Sequence, residues 1–117
     1  MTPQTWAVVE QQDVLFDYLN ITRHIIEMTN DRALANRTVD AIRRFIASLN
    51  VLPHRGTRRD DLRPGLRIVP FKSRTAIAFE IDEDNEVVRV LRVFYGGQDY
   101  DAVLCSTRRR TSMKPTN

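Results

Sequence analysis

Apolar positions recur along this chain in two rhythms, and the change of rhythm divides it. After Asp13, which reads as a helix N-cap, Leu15, Tyr18, Leu19, Thr22, Ile25 and Ile26 fall at the spacing of one helix face, to about Thr29. Asn30 and Asp31 break the pattern and cap a second helix. Its stripe is Leu34, Ala35, Val39, Ile42, Phe45, Ile46 and Leu49, with Arg32, Arg37, Asp40, Arg43 and Arg44 mainly off it. So short a break predicts an antiparallel helical hairpin. Ahead of it, Trp6-Ala7-Val8-Val9-Glu10 is short and rich in β-formers, which predicts a first strand.

Beyond Asn50 the helical period stops. Residues 50–65 hold Pro53, Gly56, Pro64 and Gly65 among many charges and read as a loop, long for a compact domain. Three strands are then predicted, Leu66 to Phe71, Thr75 to Asp82 and Val87 to Tyr95, joined by the turns Lys72-Ser73-Arg74 and Glu83-Asp84-Asn85-Glu86. In the middle strand Thr75, Ile77, Phe79 and Ile81 alternate with Ala76, Ala78, Glu80 and Asp82, the period of two expected of a half-buried strand. In the last, Val87, Leu91 and Val93 alternate with Val88, Val90 and Phe94, so both faces are partly apolar. Such a strand is central, or has its second face covered. Gly96-Gly97 ends it, Asp99 to Leu104 reads as one helical turn, and Ser106 to Asn117, with Arg108-Arg109-Arg110, reads as a basic, flexible tail. The expected fold class is α+β: an N-terminal strand, an antiparallel helical hairpin, then a three-stranded antiparallel meander that the hairpin covers, in a single domain over residues 1–105.

Composition changes this picture little. With 117 residues, 42% hydrophobic and 28% charged, the chain suits one soluble domain. Its single cysteine, Cys105, precludes an internal disulfide and a cysteine-based zinc cluster and fits a reducing cytoplasm. No stretch reads as a signal peptide or a membrane span. Charge matters more. Residues 1–50 carry five Lys/Arg against six Asp/Glu, whereas residues 51–117 carry thirteen against nine. A basic second half points to an acidic or polyanionic partner.

Side chains that would announce an enzyme are sparse, and no catalytic, metal or cofactor site is expected. Gly96-Gly97 lacks the rest of a phosphate-binding loop. His24 and His54 are too few and too scattered for a metal site, and each reads as a solvated surface histidine. Cys105 reads as an inert thiol, and the carboxylates of residues 82–86 as a solvated hairpin tip. What stands out is a set of cations on one loop and one sheet: Arg55, Arg58, Arg59, Arg63, Arg67, Lys72, Arg74, Arg89 and Arg92. Singly each is an ordinary surface cation; together they could bind an acidic protein or a phosphate backbone.

Several features in order carry a resemblance. A Pro-x-x-Gly step (Pro53, Gly56) follows the second helix, and Leu-Arg-Pro-Gly-Leu-Arg follows at 62–67. The middle strand carries Phe79-Glu80-Ile81, and the last runs Val-Leu-Arg-Val-Phe-Tyr-Gly-Gly into Gln98-Asp99-Tyr100. Over residues 5 to 104 the chain resembles the ParE branch of the RelE/ParE superfamily, toxins of bacterial type II toxin–antitoxin systems. The resemblance implies a cognate ParD-like antitoxin, ribbon–helix–helix at its N-terminus with an acidic C-terminal tail, and DNA gyrase as the target, with no sequence-specific DNA binding by the toxin itself. RelE-like members instead cut mRNA on the ribosome, which makes an mRNA endoribonuclease the alternative. Gln98 stands where relatives often have arginine, a departure within either branch. No histidine lies beyond residue 54, and Ala76 and Ala78 occupy the face opposite the core stripe, which favours the protein-binding inhibitor. The residues expected to meet antitoxin or target are Arg63, Arg67, Arg74, Val88, Val90, Arg92, Phe94 and Tyr95.

Overall fold

The computed structural model describes residues 5–72 and 74–96. The readings at Gly97, Gln98, the turn from Asp99 to Leu104, Cys105 and the basic tail lie outside the described residues, as does Ser73. In chain order the elements are β1 (Ala7–Glu10), α1 (Gln12–Thr29), α2 (Arg32–Ala47), a 3-10 turn (Ser48–Asn50), β2 (Thr57–Arg58), β3 (Leu66–Phe71), β4 (Thr75–Asp82) and β5 (Val87–Tyr95). The architecture is α+β, with the helical hairpin against one face of a five-stranded sheet ordered β1-β5-β4-β3-β2.

Local chemistry accounts for the hairpin. Asn30 ends α1 in the left-handed region (φ 55°) that Asn tolerates, and the Asp31 carboxylate accepts the Leu34 N–H at 2.9 Å as the N-cap of α2. The start of α1 departs from expectation. It begins at Gln12, capped by an extended Gln11 with no side-chain hydrogen bond, so Asp13 lies in the first turn, where its charge favours the helix dipole instead.

The predicted meander holds, β3 to β4 to β5 antiparallel. Two pairings extend it. β1 lies parallel to β5, from Ala7 opposite Val87 to Glu10 opposite Val90, which makes β5 an interior strand. A parallel partner needs a crossover connection, and the helical hairpin with the strands after it supplies one. Within the presumed loop, Thr57 and Arg58 add two residues of antiparallel sheet to β3. Gly56 enters that strand at φ 79°, and a Cβ there would meet the Ile68 carbonyl oxygen well inside van der Waals contact. The Pro-x-x-Gly step therefore needs its glycine twice over, for conformation and for space.

A bulge explains why β5 is apolar on both faces. Ala78 pairs with Arg92 and Phe79 with Val90, which leaves Leu91 without an opposite residue. One extra residue reverses the parity of everything after it. Val88 and Val90 face the helices before the bulge and Val93 after it, while Leu91 and Phe94 join Leu62, Leu66, Ile68 and Ala78 in a second cluster. The expectation that Val88, Val90 and Phe94 await a partner is corrected here. Val88 and Val90 have no exposed surface beneath the helices, and Phe94 is buried in the second cluster, so none offers itself to a partner in the free chain.

The stripe on α2 is as predicted, with Ala35, Val39, Ile42 and Ile46 buried and Phe45 stacked on Phe71 at 4.6 Å. On α1 the buried face is Val14, Asp17, Tyr18, Ile21 and Ile25, rotated from the expected one. Leu15, Phe16 and Leu19 are left more than half exposed. No described helix is long and apolar enough to cross a membrane.

Candidate protein-binding surfaces

The cations divide into those the fold neutralises and those it leaves open. On the sheet, Glu80 draws Arg63 (Nε to Oε1, 3.8 Å) and Arg89 (Nη1 to Oε2, 3.2 Å), and Arg89 also reaches Asp82 at 3.6 Å. In the loop, Arg58 pairs with Asp60 and Arg59 with Asp61, the latter by two hydrogen bonds that hold the Asp61 carboxyl below its usual range. Arg67 donates to the Arg55 carbonyl at 3.3 Å and so ties its strand to the start of the loop.

Arg92 is spoken for more firmly. Its guanidinium donates to both oxygens of Asp17, at 3.0 and 2.9 Å, a two-pronged geometry that a lysine could not reproduce. The same carboxylate accepts the Val93 N–H at 2.8 Å, so α1 closes the edge of β5 where β1 stops. The hydrogen bond to Asp17 raises the pKa of Arg92 further still. Sequence reasoning missed Asp17. The expected stripe put Asp17 on the polar side of α1, and only the rotation of the helix against the sheet buries it.

Of the residues expected to contact partners, Arg63, Arg67 and Arg92 are therefore engaged within the fold. Arg74 is exposed and makes no ion pair among the described residues, and it lines a groove with Tyr95, whose ring meets His24 edge-on at 6.1 Å. His54, read as solvated, bonds Glu83 at 2.9 Å and lies edge-on to Trp6. Among the described residues no group of three or more His, Cys, Asp or Glu is placed to hold a metal ion.

The surface that stands out is apolar and sits on α1. Leu15, Phe16 and Leu19, at 52%, 54% and 61% exposure, occupy one turn and adjoin a groove of about 520 Å³ lined by Val8, Glu10, Leu15, Arg43, Ile46 and Ala47. At its foot the Tyr18 hydroxyl donates to Glu10 at 2.6 Å, while Arg43 lies over the Tyr18 ring. Burial and the Glu10 hydrogen bond hold the Tyr18 phenol protonated far above its ordinary range. Three large apolar side chains in one turn, beside a groove with a polar rim, suit the apolar face of a partner helix.

Known structures share this fold. A chain of the chromosomal ParDE toxin–antitoxin system from P. aeruginosa superposes with a TM-score of 0.67 at 16% identity, covering 79% of this chain and 97% of that one. A chain of a RelBE toxin–antitoxin complex from Mycobacterium tuberculosis gives 0.58 at 17%, over 79% and 99%. A mutant of the E. coli toxin RelE in the free state gives 0.59 at 9%, over 89% and 97%. These likenesses establish the RelE/ParE-like fold. No curated protein sequence matches the chain significantly. The family described as the ParE toxin of the type II toxin–antitoxin system parDE matches residues 12–100, and the chain belongs to that family.

Proposed function

We propose that this ParE-family toxin acts in the cytoplasm by gripping protein: it inhibits DNA gyrase until a cognate antitoxin, ribbon–helix–helix with an acidic C-terminal tail, masks it. The observation that carries the choice of a protein target is the state of the sheet cations. Arg63 and Arg89 are held by Glu80, and Arg92 by Asp17, beside the alanines Ala76 and Ala78. Cutting RNA asks for cations free to take phosphate charge and for a group poised to move a proton. Cations already tied to carboxylates within the fold serve that chemistry poorly and serve as structure well. The antitoxin's principal hold is an amphipathic helix laid across Leu15, Phe16 and Leu19, with Arg67, Arg74 and Tyr95 as further contacts.

The test is direct. Purified toxin is added to a gyrase supercoiling reaction and, in parallel, to translating ribosomes. Loss of supercoiling with intact messages is the expected result. Site-specific cleavage of messages with supercoiling unaffected would overturn the reading and establish the endoribonuclease.

A further inference from the structure

Three cations converge where α2 passes the β3–β4 turn, and none has a carboxylate partner within 4.0 Å among the described residues: Arg37, Lys72 and Arg74, all exposed. They rim a groove of about 320 Å³ whose floor includes Leu34, Ile42 and Phe71. That volume equals roughly ten waters at their liquid volume, enough for an apolar anchor side chain and too large to be a packing defect. Lys72 sits at φ 61°, a conformation disfavoured for lysine, and its ammonium lies 5.4 Å over the Phe71 ring. Elsewhere the fold matches cation to carboxylate repeatedly, on Glu80, Asp82, Asp60, Asp61 and Asp17. Here it does not.

We infer that this groove is a second docking point, distinct from the apolar turn of α1, and that it takes an acidic segment of the antitoxin bearing one apolar anchor. The inference rests on the antitoxin reading above. An acidic peptide satisfies both halves of the site, carboxylates on the guanidinium groups and an aliphatic or aromatic side chain on the floor. A phosphate backbone would use the cations and leave the half-buried Leu34 and Phe71 uncovered. Two separated grips on one chain also explain tight neutralisation without either being strong, because the second engagement is intramolecular.

The experiment titrates full-length toxin with its antitoxin by calorimetry at low and high salt. Arg37→Glu/Arg74→Glu should weaken binding at least tenfold at low salt and flatten its salt dependence, while Arg58→Glu, whose arginine is exposed and already paired, should change it little. Reversing acidic residues of the antitoxin tail to lysine should restore much of the loss, which a merely damaged fold would not allow. The milder Arg37→Ala/Arg74→Ala should give the same direction. Unchanged affinity for the charge-reversed toxin, or a loss that no tail reversal restores, overturns the second docking point and leaves the antitoxin reading standing. Failure of the unaltered toxin to bind antitoxin overturns both.

Discussion

A few residues carry consequences out of proportion to their size. Gly56 combines a positive φ with a position hard against the Ile68 carbonyl, so Gly56→Ala should cost about 2–4 kcal/mol, from backbone strain plus a clash that backbone atoms cannot relieve cheaply. Gly65 also has positive φ, at 81°, but faces open space, and Gly65→Ala should cost about 1–2 kcal/mol. Urea denaturation of the two variants reads that contrast. Asp17 holds Arg92 and the Val93 N–H from a nearly buried position, and Asp17→Ala strands both, with an expected loss of roughly 3–5 kcal/mol. Tyr18 gives a dependence on pH. Its phenol stays protonated in the fold, whereas in the unfolded chain it ionises near pH 10.0, so unfolding above that pH releases a proton. The stability it contributes is complete below pH 10 and should decline above it by up to about 1.4 kcal/mol per pH unit. Chemical denaturation between pH 9 and 11 should show a steeper fall for the native chain than for Tyr18→Phe.

At the level of elements, α1 is the one whose surface and core compete. Val14, Leu15, Phe16, Tyr18, Leu19 and Ile21 are apolar at six of eight successive positions, more than one face can bury. The sheet takes the face of Val14, Tyr18 and Ile21 and leaves Leu15, Phe16 and Leu19 outside. Phe16→Glu/Leu19→Glu should therefore change stability by no more than about 0.5 kcal/mol, the range of surface substitutions, while abolishing co-purification with antitoxin. Loss of folding in this variant, seen as a collapsed thermal transition, would contradict the assignment. This face also marks what could be read from the chain. The spacing of apolar residues located both helices and all three meander strands, because those periods are local. It misjudged which side of α1 is buried, because that depends on the neighbour it meets. It read β5 as apolar on both sides without the bulge at Leu91, whose cause is the register with β4. Arg92 was singled out as a contact residue, but its partner Asp17 lies 75 residues away, beyond the reach of any local pattern.

For the whole molecule, the division of charge matters more than its sum. The formal net charge is only +3, and several cations of the second half are paired with carboxylates of the loop and sheet. Among the described residues of that half, Lys72 and Arg74 are exposed near the β3–β4 turn with no carboxylate partner within 4.0 Å. Antitoxin binding should accordingly weaken with added salt, yet retain a salt-insensitive part contributed by the apolar turn of α1. Affinity measured across an ionic-strength series would separate the two parts; a complete loss by moderate salt would show that α1 contributes nothing.

The pairing of β1 with β5 bears on how the protein is made. A chain emerging from the ribosome presents Ala7–Glu10 early, but the strand that must lie beside it, Val87–Tyr95, arrives some eighty residues later. Contacts so distant in sequence form slowly and reward the chain only after most of its entropy is already lost. Until then the helices have no complete sheet to pack on and their apolar faces stand open, a state prone to capture by proteases or by any partner already at hand. A cell that makes antitoxin first would thus meet its toxin while the toxin is still incomplete.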